Sequence, residues 1–144
     1  MYKKILVPLD GSQLAEAVLP HAEALAKSEH AEIIILRVPT IPASEFMARD
    51  PNVAGLIRQS MLEEAEEYVQ HKVETVEEEH IKATGMTREG PVPDMILQVA
   101  DETHADVIAM STHGRSGIQR WLMGSVADKI VNHAHIPVML IHPN

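Results

Sequence analysis

Four short, nearly continuous apolar runs punctuate the chain: Ile5 to Val7, Ile33 to Val38, Val107 to Met110 and Val138 to Ile141. They are largely β-branched or aliphatic and lack the alternation of a half-solvated strand, so they predict strands buried on both faces. A fifth, weaker strand is expected from Ile81 to Thr87. Between the runs the apolar positions repeat at helical spacing. Ser12 is suited to cap a helix in which Leu14, Ala17, Val18, Ala22, Leu25 and Ala26 form one stripe running to about Lys27. From about Val53 to His80, Met61, Leu62, Ala65, Tyr68, Val69, Lys72, Val73 and Val76 share a stripe with glutamates elsewhere, an amphipathic helix with a solvated acidic face. The run Glu77-Glu78-Glu79 reads as the solvated end of that helix. Pro93 and Asp94 open a helix that ends near Thr103, and a last helix runs from about Ser125 to His133. The stretch from Pro39 to Asn52 holds three prolines and no periodicity, and is expected to be a mobile loop.

Strands alternating with helices imply an α/β fold, a mainly parallel sheet with helices on both faces. The 144 residues suit one domain over positions 1–144. Aromatic residues make up only 3%, so Val, Ile, Leu, Ala and Met must build the core. A formal net charge of -9 argues against a nucleic-acid surface, which needs clustered Lys and Arg. The chain has no cysteine, which excludes disulfides, thiolate metal sites and thiol nucleophiles. Its first apolar run meets Pro8 and Asp10 too early for a signal peptide, and no apolar stretch approaches the ~20 residues that span a bilayer. The expectation is a cytoplasmic protein with no nucleic-acid or membrane partner.

In open α/β sheets ligands gather beyond the carboxyl ends of the strands. Here those ends carry Asp10-Gly11-Ser12, Arg37-Val38-Pro39 and Ser111-Thr112-His113-Gly114. Residues 111–125, STHGRSGIQRWLMGS, read either as a reversing turn or as an anion cradle. Gly114 and Gly117 let backbone N–H groups approach a ligand, and Ser125 to Asp128 matches a capping pattern at a helix start, where N–H groups favour anions. Arg115 and Arg120 add positive charge. Asp10 is either a turn residue or a partner for ribose hydroxyls or Mg²⁺. Neither G-x-x-x-x-G-K-[ST] nor G-x-G-x-x-G occurs. His133, His135 and His142 lack the partners of a metal site, and Ser111, His113 and Asp10 lack the G-x-S-x-G setting of a hydrolytic triad. No metal ligand set and no catalytic residue are assigned.

Three segments, KKILVPLDGS, REGPVPDMILQVADETHADVIAMSTHGRSG and RWLMGSVADKIVNHAHIPVMLI, make the chain resemble the universal stress protein family over essentially its full length. The resemblance implies a Rossmann-like, adenine nucleotide alpha hydrolase-like fold of five parallel strands in the order 3-2-1-4-5. ATP-binding members of that family carry G-x2-G-x9-G-[ST] after the fourth strand. Gly114, Gly124 and Ser125 match its later parts, and Ser111 replaces its first glycine, where a side chain either crowds a ligand or adds a hydrogen bond. By the same resemblance the ligand is ATP, with or without Mg. Asp10 would meet ribose or metal, the Val38 backbone adenine, and Pro8 and Met110 would shape the pocket. Gly114, Gly124, Ser125 and Val126 would hold phosphates, and Arg115 joins them on charge alone. The resemblance also implies a homodimer through the terminal strand and a stress-response signalling role. Any ATP hydrolysis would be slow, since no base or water-positioning residue is evident. The alternative is an interaction module of the same fold that binds no nucleotide.

Overall fold

The computed structural model describes residues 1–40, 49–114 and 123–143. They build a parallel five-stranded sheet from β1 (Lys4–Leu9), β2 (Glu32–Arg37), β3 (Ala83–Thr87), β4 (Val107–Ser111) and β5 (Val138–Ile141), in the order β3-β2-β1-β4-β5. This is the expected order. The helices are α1 (Gln13–Glu16), α2 (Leu19–Glu29), α3 (Pro51–Glu77), α4 (Val92–Thr103) and α5 (Ser125–His133).

Because parallel strands need crossover helices, both faces of the sheet are covered, and successive side chains feed two cores. Ile5, Val7, Ile33 and Ile35 pack with Ala22 and Ala26 of α2 and with Val69, Val73 and Val76 of α3. Leu6, Ile34, Leu36, Ile108 and Met110 pack with Ile96 and Val99 of α4 and Ala127 and Ile130 of α5. Burying each of these larger side chains contributes about 1.5–3 kcal/mol. At the β3 edge a Cβ on Gly85 would overlap Val69, so glycine lets α3 lie directly on the strand. Among the described residues no helix is long and apolar enough to cross a membrane.

Three boundaries differ from the sequence reading. The single helix expected from Ser12 to Lys27 is two. Ser12 does cap the first, accepting from Ala15 N–H at 3.1 Å. Pro20 then breaks it, because its ring has no N–H and collides with a carbonyl four residues back in a continuous helix. Ala17 and Val18 instead bond three residues back, to Leu14 and Ala15 carbonyls at 3.4 Å each, and α2 restarts with Pro20 in its first turn.

The second difference is at α3. Asp50 caps it, accepting from Asn52 and Val53 N–H at 3.0 and 3.4 Å, while Pro51 fits the first helical position, where no N–H is needed. Pro51 and Asn52 therefore belong to the helix rather than to the expected loop, of which positions 41–48 lie outside the described residues. Third, β3 starts at Ala83, and Ile81 is a buried anchor just before it.

Candidate ligand-binding site at the carboxyl edge of the sheet

After β1 the chain winds outward through β2 and β3, then crosses back to β4 and β5, so the connections leaving β1 and β4 diverge over adjacent strand ends. A cavity of about 290 Å³ opens at this reversal. Pro8 and Asp10 reach it from the end of β1, Val38 from just past β2, and Met110 and Gly114 from β4 and its following turn. Gly124, Ser125 and Val126 enter from the start of α5. The structure thus brings eight of the nine sequence-derived positions around one cavity; Arg115 lies outside the described residues, as does Arg120. Leu36, Val38, Ile96 and Met110 make one wall apolar.

Asp10 is held by its own turn. Its Oδ1 accepts from Ser12 N–H at 2.9 Å and from the Ser12 hydroxyl at 2.6 Å, and the intervening Gly11 takes φ 90°. Across the cavity floor, a Cβ built on Gly114 would overlap Asp10 Oδ2. Glycine at 114 is therefore what lets the β4 turn touch the carboxylate. Ser111, which replaces the glycine of the motif, is buried, and its hydroxyl accepts from His113 N–H at 3.3 Å. The hydroxyl is engaged in the turn.

The start of α5 corrects the capping expectation. Gly124, not Ser125, is the N-cap, and Ser125 is the first helical residue with its side chain exposed. Gly124 N–H donates to the Thr112 carbonyl at 2.8 Å, and a Cβ at 124 would stand 3.0 Å from that oxygen. The close approach favours glycine, and glycine supplies no capping oxygen. Among the described residues no side chain caps the helix, and its first residues border the cavity. Such a terminus carries roughly half a positive charge.

Arg37 was visible in the sequence only as a charge at a strand end. In the fold its side chain is 6% exposed, and it lines the cavity beside Glu64. Its guanidinium lies 5.0 Å from the centre of the Tyr68 ring, and Nη2 stands 3.7 Å from Glu64. Tyr68 in turn donates its hydroxyl to Glu16, which also pairs with Lys72 at 2.8 Å. Burial, and then the Glu16 bond, push the Tyr68 phenol far above its ordinary range, so it stays a neutral donor. The signal for Arg37 was its interruption of the second apolar run; its partners sit on a helix distant in sequence.

His133, His135 and His142 are all exposed, and among the described residues no three His, Asp or Glu side chains gather as a metal site.

Comparison with known proteins matches residues 1–142 to the universal stress protein family. Over 142 residues the chain is 32% identical to universal stress protein MJ0531 of Methanocaldococcus jannaschii, covering 98% of this chain and 82% of that protein. The solved structure of MJ0577 from the same organism superposes with a TM-score of 0.87 at 26% identity, covering 100% of this chain and 98% of the other. A universal stress protein family protein from Arabidopsis thaliana, solved with AMP bound, shares the fold at a TM-score of 0.70 and 22% identity, covering 99% of this chain and 92% of that one.

Proposed function

The chain belongs to the universal stress protein family, and from that premise we propose that it binds an adenine nucleotide, ATP, in the cavity at the sheet's carboxyl edge and acts as a regulator in a stress response. The observation that carries this reading is the start of α5, which no described side chain caps and which borders the same cavity as the Asp10–Gly114 contact. Backbone N–H groups and the positive helix end favour phosphate there. AMP bound to the Arabidopsis relative supports the ligand class.

In this reading the N–H groups of Ser125 and Val126, with the backbone of Gly114 and Gly124, hold the phosphates. Asp10 takes ribose hydroxyls, and the apolar wall of Val38 and Met110, with Pro8, receives the base. Arg115, next in the chain after Gly114, joins the phosphate-binding set on its charge alone. Asp10 is also the carboxylate that a Mg²⁺ brought in by the phosphates would meet, the ion's role being to neutralise their charge. No residue is assigned as general base, so the bound state itself is the signal and turnover is slow or absent.

The protein acts in the cytoplasm as a homodimer paired through β5. Among the described residues that strand lies at a sheet edge with its side chains only half-buried, and an unpaired edge invites pairing with a second copy.

Mass spectrometry of small molecules released from the purified protein is expected to find adenine nucleotide. For nucleotide-free protein, Mg-ATP at a hundred times its Kd adds about 2.7 kcal/mol of stability, seen as a raised Tm. A folded protein that carries no nucleotide and whose Tm ignores Mg-ATP overturns the reading.

A further inference from the structure

Arg37 presents an unusual balance of charge and hydrogen bonding. Among the described residues its Nη1 is the one buried side-chain nitrogen or oxygen without a hydrogen-bond partner. A charged donor left unpaired away from water is costly, and such groups are rare in folded proteins. Its carboxylate partner does not make up the deficit. Glu64 approaches the other nitrogen at 3.7 Å, well beyond the ~2.7–2.9 Å of a charge-assisted hydrogen bond, and the Glu64 side chain is 61% exposed and free to swing away. The Tyr68 face stabilises the cation without satisfying any N–H. Both Arg37 and Glu64 line the cavity.

We propose that Arg37 selects the base of the bound nucleotide, its unpaired Nη1 donating to a ring-nitrogen acceptor of the purine once Glu64 swings aside. This rests on the nucleotide reading above and adds a specificity-determining residue to it. Position supports the base rather than the phosphates. Arg37 ends β2, while the phosphate end lies beyond β4; β1 stands between them, so the two are about 10 Å apart at two strand spacings. A nucleoside's sugar and base cover that gap. Charge points the same way. With Asp10 and Glu64 both on the wall, a second anionic group near Arg37 would meet two carboxylates, whereas a neutral acceptor meets only the donor it completes. The ring nitrogens of adenine are acceptors, and a single guanidinium N–H is a donor that one of them can meet.

The test is a cycle between protein and ligand. ATP and its 1-deaza, 3-deaza and 7-deaza analogues, each lacking one ring nitrogen, are titrated calorimetrically into the unmodified protein and Arg37→Met. One analogue is expected to bind the unmodified protein about tenfold more weakly than ATP, and as tightly as ATP to Arg37→Met. A merely structural role for Arg37 weakens all four ligands alike. Glu64→Gln, at an exposed position, keeps the experiment decisive if Arg37→Met does not fold. Releasing Arg37 from its carboxylate is expected to widen the discrimination, and unchanged discrimination overturns the proposal. It is also overturned if the unmodified protein binds all four alike, or if discrimination survives in Arg37→Met. Failure of the unmodified protein to bind any of them overturns the nucleotide reading as well, so the two failures are distinct.

Discussion

Gly114 and Asp10 are fitted to each other: the glycine has no Cβ, and the carboxylate, tied to Ser12, occupies the place a Cβ would take. Gly114→Ala must push Asp10 off its turn or lift the β4 turn. Overpacking of this kind costs about 1–3 kcal/mol. Removing the obstructing carboxylate relieves it, so the double variant Gly114→Ala with Asp10→Ala is expected to be more stable than the sum of the two single losses predicts. Urea denaturation of all four proteins measures the coupling, and strict additivity would show that the contact does not constrain the turn. Nucleotide affinity should fall in both single variants and stay low in the double one, because relieving the clash does not restore Asp10. Arg37 shows where residue-level reading of the sequence stops. Its charge interrupts an apolar run and could be noticed, but its burial depends on Glu64 and Tyr68, residues that no local pattern connects to it.

Periodicity located all five strands and the major helices because each buries a continuous apolar face, and that requirement is written locally. Boundaries decided by backbone hydrogen bonding were less legible. Pro20 sits within a plausible apolar stripe, yet the missing N–H outweighs the stripe and divides the helix. Ser125 matched a capping pattern, but the close approach of Gly124 to Thr112 moved the cap one residue earlier. The same hydrogen-bond accounting defines the outer edge of β5 among the described residues. Ile108 and Thr112 N–H donate to the carbonyls of Pro137 and Ile141, so in a parallel ladder the odd-numbered residues of β5 face β4 and Val138 and Leu140 turn their backbone groups outward. Val138→Pro therefore deletes one outward N–H and leaves the β4 ladder intact. If copies pair through this edge, the variant shifts strongly to monomer in sedimentation equilibrium while its circular dichroism stays native. An unchanged dimer would place the interface elsewhere.

If copies pair, the distribution of charge favours the same edge. Eight of the 21 acidic residues lie between Glu63 and Glu79, on α3 and the turn after it, and α3 packs against β3. From Lys129 to Asn144, by contrast, the sequence contains no Asp or Glu, and this stretch includes β5. One sheet edge is thus beside a concentrated negative charge, while the other is charge-poor and apolar. Two copies meeting at β5 keep their acidic helices at opposite ends. Each copy still carries a formal charge of -9, so approach is opposed by long-range repulsion although the contact itself is nearly uncharged. Raising ionic strength from about 0.01 M to 0.15 M shortens the screening length from about 30 Å to 8 Å, which removes most of that repulsion and leaves β-pairing and apolar burial intact. Self-association should therefore tighten with salt over this range, measured by sedimentation of nucleotide-free protein so that ligand charge does not enter. Weakening with salt would mean that complementary ion pairs hold the copies together, and the acid-free β5 edge could not be the surface that supplies them.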